Sequence, residues 1–207
     1  MRPSLRNLQD IWLFIYARDS MREARRYLVA LDQFDHPYLV DPLDDPKAHQ
    51  SVCYRGLRDA AIIAYARPFT RCSLPLAKER RIALEHVSPP AHLEECHGHL
   101  TRWRDTLIGH KDATPANGWQ DNPSKVVVAI TISGEIHFGS RIPTGKMSPD
   151  TRDHFGQLCT YFVDQCQARI YRFQELYKAE LTANLPGEYE MVISGPDGPW
   201  LIPAKYY

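Results

Sequence analysis

Arg104 and His110 stand six positions apart in the stretch "RDTLIGHKD", and both belong to the few side chains that can handle a phosphate. A guanidinium clamps phosphate oxygens through paired hydrogen bonds, and an imidazole moves protons near neutral pH. On an ideal helix the two would lie roughly 120° apart around the axis and about 9 Å apart along it, too far to share a ligand. Gly109 alters this. A glycine just past a helix end takes the left-handed conformation that turns the chain, and the turn would fold His110 back beside the last helical turn, toward Arg104. The same residues also read as an ordinary helix end, with His110 and Lys111 complementing the helix dipole. The two readings are nearly even.

A second group lies upstream: Arg55, Arg58, Asp59, Tyr65 and Arg67. Arg58 and Asp59 flank the very apolar run "AAIIAYA", and a charge beside a core needs a partner or a task. Either could line the same cleft, Asp59 by orienting an arginine or a histidine. A structural ion pair between helices is the more common role for such residues. In "HLEECHGHL", His92, Cys96 and His99 recur at spacings of four and three, as metal ligands on a helix do, with Glu95 close by. Gly98 loosens that frame and no second ligand cluster accompanies it, so no metal is expected. The five cysteines form no C-x-x-C pair, and Cys159 and Cys166, seven apart, read as small buried apolar groups. With no G-x-S-x-G elbow and no glycine-rich phosphate loop, serine hydrolases and P-loop enzymes are poor fits. No cofactor is expected.

The elements that must position these residues are mostly helical. Leu8, Ile11, Trp12, Ile15 and Met21 predict a helix over Leu5 to about Leu31. A second runs from about Gln50 to Arg67 and stops at Pro68. Ser88-Pro89-Pro90 opens a third, over about Ala91 to Ile108, with a short helix suggested before it in "LAKERRIALEHV". Ser148-Pro149-Asp150 opens a fourth, to about Ala183. The β-branched run in "KVVVAITISGEIHFGSRI" predicts a hairpin over about 125–142, and "EYEMVISGPDGPWLIP" a second over about 188–203. The expectation is one α+β domain over 1–207. It consists mainly of a four-helix bundle, about 5–112 and 149–183, with a small antiparallel sheet from the two hairpins.

An arginine followed by a polar residue, with a histidine six positions on, late in a bundle helix, resembles the R-x(4–6)-H motif of HEPN (higher eukaryotes and prokaryotes nucleotide-binding) domains. The resemblance covers Leu5 to Asp112 loosely and the chain from Pro149 hardly at all. It implies a helical bundle that dimerises, often a metal-independent endoribonuclease in toxin–antitoxin, defence or RNA-processing settings. Arg104 and His110 would be the motif residues, with Asp105 in the polar position. His110 would activate a ribose 2′-hydroxyl or protonate the leaving oxygen, and Arg104 would stabilise phosphate charge in the transition state. Arg102, Lys111 and the Arg22, Arg25 and Arg26 group would add contacts to RNA or a nucleotide.

Bulk properties narrow this further. The chain has 207 residues, and its 25 basic and 25 acidic side chains cancel, so no global field draws in nucleic acid and any phosphate binding must be local. The longest early apolar run, Ile11 to Tyr16, is too short to span a bilayer, which predicts a soluble, cytoplasmic protein without a membrane partner. The competing reading is a non-catalytic bundle that binds a protein partner through its hairpin edges or the aromatic tail "WLIPAKYY".

Overall fold

The structure is a computed structural model that describes residues 3–34, 46–72, 80–81, 87–104, 125–130, 132, 136–141, 147–184, 186–192 and 198–204. Helix α1 (Leu5–Leu31) begins where the Ser4 hydroxyl accepts the Asn7 backbone N–H at 3.2 Å, a side-chain cap that satisfies one orphan donor of the first turn. Leu13, Ala17, Met21, Ala24, Leu28 and Leu31 then form one buried stripe at steps of three and four that keep to a single helix face, with Leu8 and Ile11 buried beside it nearer the start. Helix α4 (Pro149–Leu176) starts in the same manner. Ser148 accepts from the Thr151 N–H at 3.0 Å, and Pro149 occupies the first turn, where its missing N–H costs nothing. Its buried stripe runs through Phe155, Leu158, Cys159, Phe162, Cys166 and Ile170.

Helices α2 (Pro46–Ala66) and α3 (Ala91–Trp103) complete the core. Helix α1 packs on α2 and α4, and α3 packs on the same two. The directions follow from side-chain contacts. Along α1, Asn7 donates to the Tyr177 hydroxyl, Arg18 bonds Gln167 at 3.4 Å, and Asp32 pairs with Arg152; ascending α1 descends α4, so the two are antiparallel. Tyr54 and Tyr65 of α2 meet Met147 and Phe155 in ascending order, so α2 runs with α4. Arg58 meets Trp103 while Tyr65 meets His97, so α3 runs against α2. Each helix therefore opposes both of its neighbours, an up-down-up-down arrangement.

Tyr65 lies at the middle of this core. Its ring sits edge-on to Phe155 at 5.1 Å between centroids and to Phe162 at 6.2 Å, and tilted to Phe69 at 5.4 Å, within the range aromatic pairs favour. Phe69 belongs to a 3-10 turn, Arg67–Phe69, that continues α2. Pro68 thus redirects the helix, as expected of a residue without an N–H, and the turn places Phe69 against Phe162 at 5.2 Å.

Several expectations need revision. Helix α2 begins at Pro46 rather than about Gln50. The helix anticipated in "LAKERRIALEHV" is not formed at Arg80–Arg81, which is strand β2, paired antiparallel with β1 (Arg71–Cys72). A two-residue ladder has no alternating pattern to read, and Ala, Lys, Glu and Arg all favour helices. The long helix from Pro149 does not run unbroken to Ala183. Tyr177, at φ −112° and ψ 20°, leaves the helical region, and α5 (Lys178–Thr182) follows. The buried Tyr177 takes the Asn7 hydrogen bond at that break, so tertiary contact coincides with the change of path. The two expected hairpins are present, β3 (Lys125–Ile130) with β4 (Ile136–Arg141) and β5 (Tyr189–Met191) with β6 (Leu201–Pro203). They form separate two-stranded ladders, and β1–β2 makes a third, in place of one shared sheet.

The described chain is therefore mostly helical, with five α-helices and three short antiparallel ladders. No helix among the described residues is long and apolar enough to cross a membrane. Phe162 is fully buried at the meeting of α2, α3 and α4, whereas Tyr171 on the same helix is 60% exposed. Chemical denaturation should show Phe162→Ala losing about 3–5 kcal/mol, with Tyr171→Ala within about 0.5 kcal/mol of the parent.

Candidate functional site

Arg58 is the most buried charged side chain described, 5% exposed. A guanidinium in that position needs its donors and its charge met. Asp59 Oδ1 accepts from Arg58 Nε at 2.9 Å and lies 2.8 Å from Nη2, and the guanidinium carbon sits 5.2 Å from the centre of the Trp103 ring, a cation–π distance. Arg58 thus links the middle of α2 to the last residue of α3. Arg104, the next residue, is the C-cap of α3, and its backbone N–H is shared between the Leu100 and Thr101 carbonyls, as helix ends commonly do. The structure brings Arg58, Asp59 and Arg104 to one end of the α2–α3 seam. Asp59 orients an arginine there, and that arginine is Arg58.

The other expected site residues divide. Arg102 is exposed on the last turn of α3, about 200° around the helix from Arg104, so the two face different sides. Its guanidinium lies over Gly98, where an added Cβ would meet Nη1 at 3.6 Å. Asp105, His110 and Lys111 lie outside the described residues. Arg67, grouped in the sequence with Arg58, serves another seam, donating to Glu23 Oε2 of α1 at 2.6 Å while the Tyr27 hydroxyl donates to Glu23 Oε1 at 2.9 Å.

"HLEECHGHL" separates in the same way. Cys96 is buried, its thiol directed at the Thr151 carbonyl at 3.9 Å and pushed up to about 11 by burial and by Glu95. His92 is exposed, and His99 Nε2 lies 3.7 Å from Glu95 Oε1. No group of three or more ligands that could hold a metal exists among the described residues. The residue with most chemistry in this stretch is instead His97, which sequence reasoning passed over. Its Nδ1 lies 2.7 Å from the Tyr65 hydroxyl, and its ring packs edge-on to Phe69 at 4.7 Å. Burial holds the imidazole below its usual pKa and the Tyr65 phenol well above its own. The signal was present: Leu93, His97 and Leu100 fall at i, i+4 and i+7, the apolar face of α3.

Two depressions mark the surface of α1. A groove of about 900 Å³ lies between its C-terminal half, the start of α3 and the first turns of α4, and Arg25, His92, Arg152, Asp153, Gln157 and Tyr161 are among its walls. Beside it, Arg22, Arg25, Arg26 and Val29 enclose a shallower space of about 370 Å³. The three arginines singled out in the sequence therefore form one exposed ridge, and Arg25 borders both spaces.

No protein-family model, curated protein or solved structure matches the chain.

His97 carries a pH dependence. Its folded pKa lies below the 6.5 of a free histidine because burial penalises the charged form, so the unfolded chain binds more protons near pH 6. Stability is then complete above about pH 6.5 and declines as the pH falls through that value toward the folded one. The thermal midpoint of the parent should drop between about pH 7.5 and about pH 5.5. His97→Asn should start lower and drop less over the same interval, retaining the smaller contribution of His99, which burial and Arg102 also hold low.

Proposed function

We propose that the protein is a HEPN-like ribonuclease that cleaves RNA without a metal, with Arg104 and His110 at its centre. The observation that carries this reading is the placing of Arg104. The arginine of the R-x-x-x-x-x-H stretch caps a bundle helix directly after Trp103, and α2 delivers Arg58 onto that tryptophan with Asp59 attached. The up-down-up-down packing of α1 to α4 supports the same reading, because it sets an arginine from the middle of α2 against the end of α3 that Arg104 caps.

In the reaction, Arg104 would bind the scissile phosphate and meet the charge that develops on its non-bridging oxygens. His110 would take the proton of the ribose 2′-hydroxyl, whose oxygen attacks phosphorus as the bond to the 5′-oxygen breaks; the proton then reaches that leaving oxygen. The products are a 2′,3′-cyclic phosphate and a 5′-hydroxyl. Asp105 and Lys111, adjacent to the motif residues in sequence, would orient the arginine and add positive charge. Arg58 and Asp59 are positioning residues, acting through Trp103. A homodimer would face two such motifs across a cleft.

The competing reading is a non-catalytic bundle that binds another protein. The β5–β6 hairpin favours it, docked on α4 by Trp200 edge-on to Phe173 at 6.4 Å and offering strand edges for pairing.

The two part at one assay. Incubated with labelled single-stranded RNA in EDTA, the parent should yield fragments ending in a cyclic phosphate. Arg104→Ala and His110→Ala should each lower the rate by about a hundredfold or more. Cleavage that survives both substitutions would remove this stretch from the site, and intact RNA in every lane would favour the binding module.

A further inference from the structure

We infer that a single strand of RNA crosses the bundle with its phosphates on the Arg22–Arg25–Arg26 ridge of α1 and its bases turned into the groove between α1 and α4. The inference rests on the ribonuclease reading and extends it by naming the form of the substrate and the surface that holds it.

All three arginines are exposed, and among the described residues Arg25 and Arg26 make no hydrogen bond or ion pair; Arg22 has only Asp19, at 3.7 Å. Two positive charges left unanswered beside a third are unfavourable for the free chain and favourable for a polyanion, whose condensed counterions are released on binding. Arg22 and Arg26 are about 6 Å apart along the helix axis, comparable with the spacing of neighbouring phosphates along an extended single strand. The ridge thus suits successive phosphates.

The adjoining groove is more acidic and more apolar. Asp153 and Asp164 stand in it exposed, and of its two arginines Arg25 belongs to the ridge and Arg152 is already paired with Asp32. Its floor favours phosphates less than the ridge does. It suits bases: Asp153, Gln157 and Thr160 offer hydrogen-bonding groups to base edges, and Tyr161, half-buried and held by its hydroxyl on the Ser88 carbonyl at 3.0 Å, offers a ring. Cations outside and acceptors inside order a strand by its two halves, backbone on the ridge and bases inward. A duplex keeps its bases stacked and paired and cannot present them to a protein groove in this way.

The test uses a fluorescein-labelled 2′-O-methyl oligoribonucleotide of about twelve residues, which lacks the attacking hydroxyl and so reports binding alone. Anisotropy titrations over a range of salt should show R22Q/R25Q/R26Q weakened roughly tenfold or more at low salt, with the slope of log K against log salt reduced by about 2. Arg26→Gln alone should reduce that slope by about 0.7 and serves if the triple variant unfolds. Arg172→Gln, an exposed arginine elsewhere on α4, should bind as the parent does. The same oligomer annealed to its complement should bind more weakly. Equal slopes for the parent and the ridge variants, equal affinity for the duplex, or binding of anionic lipid vesicles in place of the oligomer would each overturn the inference. If the parent still cleaves RNA at Arg104 and His110 in those cases, the ribonuclease reading stands without the ridge; a parent that neither binds nor cleaves overturns both.

Discussion

Arg58 cannot sit inside this bundle unless its charge is received, and the way it is received sets the geometry of everything near it. Asp59 takes two of its nitrogens and Trp103 takes its face. Because Trp103 is the last residue of α3, the stack ties the middle of α2 to the end of α3, directly before Arg104. One turn before Arg58, the Tyr54 hydroxyl accepts the Met147 N–H at 3.1 Å, so the same stretch of α2 also anchors the approach to α4. Arg58 is buried while Asp59 is half-exposed, so the pair lies at the edge of the core, next to the end of α3.

Much of the fold was legible in the chain. The apolar spacing of α1 marks the helix closely, and Ser148-Pro149 marks the start of α4, because caps and helical spacing are local properties. What was not legible depends on contacts between distant residues. The break at Tyr177 coincides with Asn7, 170 positions away. The pairing of Arg71–Cys72 with Arg80–Arg81 is a ladder in residues whose own preference is helical. At the site, Arg58 and Asp59 were identified as a group needing a partner, but nothing local points to Trp103. His97 escaped notice beside His92, Cys96 and His99, whose spacing suggested a metal that their actual directions do not support. Arg102 and Arg104 look alike in sequence and face different sides, a consequence of helical geometry alone.

The neutral total charge conceals an uneven distribution. Acids answer Arg18, Arg58, Arg67 and Arg152 directly, whereas on the ridge of α1 three exposed arginines share only Asp19 as an acidic partner among the described residues, through Arg22. At physiological salt, fields fall off within about 8 Å, so a strand of RNA would respond to that ridge and not to the sum over the chain. Binding of RNA there would show strong salt dependence and modest affinity.

Single-turnover cleavage by R58K, R104A and the double variant would show whether Arg58 acts through Trp103 on Arg104. Lysine keeps the charge but cannot reproduce the planar contact with both Asp59 and the indole. If Arg58 works only by placing Arg104, R58K alone slows cleavage and the double variant is no slower than R104A, a strongly non-additive result. Losses that simply multiply, or an R58K variant that folds and cleaves at the parent rate, would mean that Arg58 does not act through Arg104.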